Sequence, residues 1–306
     1  MPVGQRISRG KRGNRSGAEH SFRDYDARSV IHSHPRQPHE RTQLVVTGFA
    51  FYGISASEPD RSLATATAIF ARLNLHAVKV SEYVRTTPDA AGKSLHLVET
   101  DWQNYLRDPK SANIRFRAIS ASGTTELTGG FDDGANVGFS LVDLAVRHQQ
   151  PLPESEIIDV IDHLSGQLSP AYGFAFTCTR PEQVVSYANG NAAVLFTGSE
   201  DPFSFIDDLS EWSGGEDSYK RTRLRMVYPY NLLNRDHLAI SVAGQSLGDW
   251  IRAQDDRGRI IELNSQFAVW IVPAETLQDI NQLLGATGLL ISWRPERAAG
   301  PRRKLP

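Results

Sequence analysis

The chain contains one cysteine in 306 residues, Cys178. An internal disulfide is therefore excluded, and a reducing cytoplasm is the expected setting. No stretch approaches the roughly 18 consecutive apolar residues of a membrane-spanning helix. The opening residues, MPVGQRISRGKRGNRSG, are basic but lack an apolar core, so no secretory signal is expected there. Also missing are a Walker loop, a dinucleotide-binding glycine motif, His-Glu-x-x-His, an EF-hand loop and Cys-x-x-Cys. The expectation is a protein without cofactor, without metal and without a catalytic residue set.

What is present is ordinary globular composition, 40 % hydrophobic and 22 % charged, enough to build a core. The net charge of −2 hides an asymmetry. Residues 1–42 carry a net +5, residues 294–306 a net +4, and the stretch between them −11. An acidic body is unsuited to gripping nucleic acid, which needs a basic face, and better suited to meeting a basic protein. Residues 1–42 and 294–306 lack apolar periodicity and read as disordered basic tails on a globular body spanning 43–293. A sub-boundary within that body falls near 213–220, where WSGGEDSY breaks the pattern.

The body alternates strand and helix signals. TQLVVTGFAFYG, HAVKVSEYV, NIRFRAISA, NVGFSLVDLAV, AYGFAFTCT and AAVLFTG read as strands. A helix is expected over about 61–73 and another in PLPESEIIDVIDHLSGQL, where Ile157, Val160, Ile161, Leu164 and Leu168 form one stripe. Asp201 followed by Pro202 starts a further helix. From residue 224 the order is strand LRMVYPY, helix LGDWIRAQ, strands GRIIELN and FAVWIV, helix PAETLQDINQLLGAT, strand GLLISW. That β-α-β-β-α-β order is the ferredoxin-like one, and residues 137–230 can be read as a duplicate of it. The expected fold class is α+β: a mixed or antiparallel sheet with helices on one face, as one sheet or two modules.

Several residues resemble chemistry without completing it. Gly244-Gln245-Ser246-Leu247-Gly248 matches the hydrolase nucleophile elbow, which needs an acid and then a histidine later in the chain. The last histidine is His237, so Ser246 reads instead as the N-cap of a helix, with Asp249 as its partner. Cys178 sits among Phe174, Phe176 and Thr177 and reads as a small core residue. His32, His34 and His39 lie in a Pro-rich stretch that cannot preorganise a metal site. From Glu200 to Asp217 the chain holds seven acidic residues and no Lys or Arg, with Phe203, Phe205 and Trp212 interleaved. Asp207, Asp208, Glu211, Trp212, Glu216 and Asp217 are the candidate docking residues for a basic protein partner.

The helix IIDVIDHLSGQLSP running into AYGFAFTC, and the later VYPYNLL, LGDWI and RIIELNSQFAVWIVP segments, resemble bacterial immunity proteins of type VI secretion and polymorphic-toxin systems. The resemblance spans roughly residues 137–293, leaves the first strands and both tails outside, and carries no functional residue. It implies an acidic cytoplasmic binder that neutralises a toxin by occlusion. Two other readings stand beside it: a hydrolase or other enzyme using Ser246 or loop polar residues, and a nucleic-acid accessory protein acting through the basic N-terminal arm.

Overall fold

The computed structural model describes residues 44–55, 58–85, 95–134, 138–191 and 193–295. The two expected basic tails, apart from Arg294 and Pro295, lie outside the described residues, as do His32, His34 and His39. In chain order the elements begin with β1 (Val45–Tyr52), α1 (Pro59–Arg72), β2 (Leu75–Arg85), β3 (Leu95–Asp101) and α2 (Trp102–Tyr105). They continue with β4 (Ile114–Ser120), β5 (Glu126–Asp133), β6 (Ser140–His148), α3 (Glu154–Leu168), β7 (Tyr172–Cys178), α4 (Pro181–Ala188) and α5 (Pro202–Leu209). The last part holds β8 (Tyr230–Asn234), α6 (Arg235–Leu238), a small hairpin of β9 (Ser241–Val242) and β10 (Gln245–Ser246), then α7 (Leu247–Arg252), β11 (Arg259–Glu262), β12 (Phe267–Ile271) and α8 (Leu277–Ala286).

Ten strands form one antiparallel sheet in the order β11-β12-β8-β7-β1-β6-β5-β4-β2-β3. Its first strand in sequence, β1, lies inside, paired with β6 on one side and β7 on the other. Alternate β1 residues face opposite layers. Val46, Ala50 and Tyr52 pack with α4, α5, α7 and α8; Phe49 and Phe51 pack with α1 and α3. Helices therefore cover both faces rather than the single face expected. The cause is β1 itself, whose residues are apolar at both parities and need burial on both sides.

The expected ferredoxin-like C-terminal order is not completed. GLLISW supplies only isolated bridges, Leu224 to Leu290 and Glu200 to Trp293. LRMVYPY joins a ladder only at Tyr230. Side-chain amides take the place of strand partners here. Asn281 accepts from the Val227 N–H at 2.9 Å through Oδ1 and donates to the Val227 carbonyl at 2.9 Å through Nδ2. Asn231 treats Tyr228 in the same way, at 2.9 and 2.6 Å. The backbone of residues 227 and 228 is satisfied without a neighbouring strand, so extended sequence does not become sheet. Within AAVLFTG, residues 193–198 likewise form a turn, held by the Glu200 carboxylate on the N–H groups of Leu195 and Phe196. Helix α4 is an element that the apolar spacing did not suggest; Pro181 opens it, and the Gln183 side chain accepts the N–H groups of Thr179 and Arg180.

The sheet also carries a crossing ion pair. Arg115 on β4, Gly130 on β5 and Asp143 on β6 are register partners in a row. The Arg115 guanidinium passes over Gly130 and binds Asp143 with both terminal nitrogens, Nη2 to Oδ2 at 2.8 Å. A Cβ at position 130 would fall 2.6 Å from Arg115 Cδ and 2.7 Å from Nη1. The Asp143 side chain is 2 % exposed, so displacing the arginine strands a buried carboxylate. Gly130→Val is expected to lower unfolding stability by about 3 kcal/mol. That loss exceeds the ~1 kcal/mol which valine's strand preference returns. Urea unfolding checks it, and a variant as stable as the native chain would refute the crossing pair's role.

Candidate functional site

The acidic run from 200 to 217 divides into an inner and an outer set. Asp201 caps α5, accepting from the Phe203 N–H at 3.2 Å and the Ser204 hydroxyl at 2.6 Å, and it also pairs with Arg294. Asp208 is buried, and its carboxylate accepts from the Tyr219 N–H at 3.0 Å and the Ser218 hydroxyl. Asp208 therefore closes the 210–219 loop and is not presented to a partner, which removes it from the docking surface expected from the sequence. A helical acid two residues from a loop with no cation to pair with reads as solvated; only the fold shows that it turns inward.

The outer set comprises Asp207, Glu211, Glu216 and Asp217, all exposed. Asp217 carries a positive φ of 56° and pairs with Lys220 at 2.9 Å. On α5 the residues Phe203 and Asp207 are one turn apart and share the outward side, while Phe205 and Leu209 face the core. Phe203 is 58 % exposed, the most open of the large apolar side chains described. The Trp212 side chain lies outside the described residues. The arrangement is an apolar ring with carboxylates beside and beyond it.

Beneath this surface lies a site that the sequence reading missed. Arg225 is fully buried, and its side chain and that of Glu200 are both 0 % exposed. The Arg225 Nε lies 3.4 Å from Glu200 Oε1, and Nη1 donates to the Tyr187 carbonyl at 2.9 Å. The guanidinium stands over the Tyr187 ring at 3.6 Å and the Phe205 ring at 4.9 Å. Tyr187 donates to Glu200 at 2.5 Å and its hydroxyl meets that of Tyr228 at 2.6 Å. Burial pushes the Tyr187 and Tyr228 phenols well above their ordinary range, so both are neutral. Burial opposes the Arg225 charge too, but the Glu200 carboxylate, the Tyr187 carbonyl and the faces of Tyr187 and Phe205 offset it and the guanidinium stays protonated. Since Phe205 belongs to α5, this cation–aromatic contact sets where α5, and with it Phe203 and Asp207, sits. The only sequence signal was a lone arginine inside the apolar run LRMVYPY.

The candidate nucleophiles are engaged in structure. Ser246 accepts from the Asp249 N–H at 3.0 Å and donates to its carboxylate at 2.6 Å, as an N-cap of α7. The Cys178 thiol donates to the Arg180 carbonyl at 3.3 Å, and burial raises its pKa. His237 is fully buried in α6, with Nε2 at 2.8 Å from the Tyr219 carbonyl and Nδ1 accepting the Asn234 N–H at 3.3 Å. Burial depresses its pKa to about 4, leaving a neutral ring with Nε2 as donor. Among the described residues no group of three or more His, Cys, Asp and Glu is placed to hold a metal ion.

Fold and site together define an antiparallel α+β protein whose one ten-stranded sheet lies between two helical layers. No family model matches the chain, and no curated protein does. A solved structure described as the Pseudomonas aeruginosa T6SS protein PA0821 is similar with a TM-score of 0.44 at 16 % identity, over 81 % of this chain and 73 % of that one. A likeness that slight carries no functional argument. Among the described residues no helix is long and apolar enough to cross a membrane.

Removing Glu200 alone leaves Arg225 charged and uncompensated in the core. Glu200→Ala is expected to cost roughly 3–5 kcal/mol, while the double variant Glu200→Met/Arg225→Met returns to within about 2 kcal/mol of the native chain. Urea unfolding of the two variants decides it, and equal losses in both would refute the coupling. The depressed pKa of His237 has its own consequence. The folded state resists protonation that the unfolded chain accepts near its ordinary value of 6.5. The stability His237 contributes is complete above that value and declines as pH falls toward about 4. The loss of stability over that window should be shallower in His237→Gln than in the native chain, and parallel pH profiles would count against it.

Proposed function

We propose that the protein acts by binding a basic partner protein through the α5 surface, and that it is an immunity factor which neutralises a cognate toxin by occlusion. The observation that supports this most directly is the exposed Phe203 with Asp207 one turn along α5, followed in the chain by the exposed Glu211, Glu216 and Asp217. An exposed aromatic beside a carboxylate on the same helix side matches the make-up of an interface anchor with a steering charge. Its setting is rigid, because α5 is capped by Asp201 and seated through Phe205 on Arg225. Rigid presentation lowers the ordering cost of association. The body's net charge of −11 favours encounter with a basic toxin over an acidic or nucleic-acid partner.

The experiment is site-specific photo-crosslinking from positions 203 and 207 in the native cell, followed by binding measurements with the captured protein. The expected partner is basic and bound at 1:1 stoichiometry. Asp207→Lys/Glu211→Lys should weaken it by about tenfold or more, with an affinity that falls steeply as salt rises. Co-expression should restore growth to cells poisoned by that partner, and the charge-reversed variant should fail to do so. Crosslinks that are indifferent to charge reversal, or rescue that persists in the reversed variant, would overturn the assignment.

A further inference from the structure

A cleft lined by none of the exposed acidic residues of the 200–217 run has a different chemistry. Between α8 and the segment at 293–295 runs a cleft of about 690 Å³, lined by Ser199, Gln278, Gln282, Gly285, Trp293 and Pro295 among others. That size is within the range of small-ligand sites. Among the described residues none that lines it is charged, in a body that is strongly acidic. Gln278 and Gln282 are one turn apart on the exposed side of α8. Their amides, the Ser199 hydroxyl and the Trp293 indole N–H have no hydrogen-bond partner among the described residues. The Trp293 ring is held in place by Gly285, where an added Cβ would come within 2.2 Å of the indole. The rest of the indole packs against the core cluster that contains Leu284 and Ile280.

We propose that this cleft binds an uncharged oligosaccharide. A sugar offers adjacent hydroxyls that both donate and accept, and C–H faces that pack on an aromatic ring. Two amides in a row supply donor and acceptor together, matching such hydroxyls in either sense. An indole held rigidly supplies the apolar contact and one further donor at little entropic cost. A charged ligand finds no counter-ion in the lining and would lose hydration without compensation. The cleft shares no lining residue with the proposed docking set, so variants at Gln282 or Gly285 test it separately from Asp207 and Glu211.

The test follows the Trp293 indole N–H in nitrogen-15-labelled full-length chain, with the signal assigned through Trp293→Phe. The probes are neutral tetrasaccharides (cellotetraose, maltotetraose and chitotetraose) and, as a contrast, a neutral tetrapeptide. At least one sugar should shift that signal in a saturable way below about 10 mM. Gln282→Ala should weaken the sugar roughly fivefold, the worth of one hydrogen bond. Gly285→Ala, which forces the indole off α8, should abolish binding while the other four indole signals stay native in position. No saturable shift with any sugar, or a shift with the tetrapeptide alone, would overturn the proposal.

Discussion

Arg225 has to keep a positive charge where no water reaches it, and much of one helical layer is arranged by that requirement. An unpaired buried cation is among the most costly things a fold can contain. Here the cost is divided among a carboxylate from Glu200, the carbonyl of Tyr187, and the faces of Tyr187 and Phe205. These groups come from separate segments: α4, the 193–200 turn, α5 and the 224–228 stretch. None of the four makes a sheet ladder with another along its length, so the guanidinium links what backbone pairing leaves apart. Glu200 serves a second purpose, because its other oxygen accepts the N–H groups of Leu195 and Phe196 and so shapes the turn that carries it. Charge satisfaction and loop geometry are one network, and its members are coupled rather than additive.

The same principle explains where sheet formation stops. Residues 227 and 228 are extended and apolar, yet their polar backbone groups are taken by the amides of Asn281 and Asn231. Asn231, the register partner of Trp270 in the β8–β12 ladder, also donates to the Trp270 carbonyl through its side chain at 3.2 Å. Asn234 continues the pattern, donating to the carbonyls of Ala171 and Lys220 at 3.0 and 2.8 Å. Three asparagines thus do in the interior what neighbouring strands do elsewhere. The stretch leading into β8 is held by side chains, and it packs in the layer that contains α5 and α8.

Those features divide what was legible in the chain from what was not. Local signals were readable: the apolar stripe of α3, the Asp201–Pro202 start of α5 and the Ser246–Asp249 cap all depend on residues within a turn of one another. The α+β class also followed from alternating strands and helices, with the sheet left as mixed or antiparallel. Long-range terms were not readable. Whether an extended run pairs depends on an amide 54 residues away, as Asn281 is from Val227. Whether helices cover one face or two depends on how much of β1 is buried, and Val46, Phe49, Ala50, Phe51 and Tyr52 are all at 0 % exposure. In the acidic run, Asp208 looked like Asp207 and Glu211, because sequence records charge but not the direction of the side chain. Burial separates them into a structural set and an exposed set.

That separation sharpens the functional argument. Seven acids in eighteen positions would form a diffuse negative field, which steers partners but discriminates weakly. With Glu200, Asp201 and Asp208 withdrawn, four remain exposed, and one of them, Asp207, lies a turn from the open Phe203 on α5. The withdrawn acids are the ones that hold the exposed ones in place: Asp201 starts α5, Asp208 closes the loop bearing Glu211, Glu216 and Asp217, and Glu200 seats the arginine beneath. Specific recognition needs charge at fixed positions, and a shared acidic composition achieves this only when part of it is spent on its own scaffold. The neutral cleft beside α8 obeys the opposite logic. Its amides and indole lie next to the same buried layer but outside the charged field's chemistry, so two surfaces on one framework can select ligands by unrelated means.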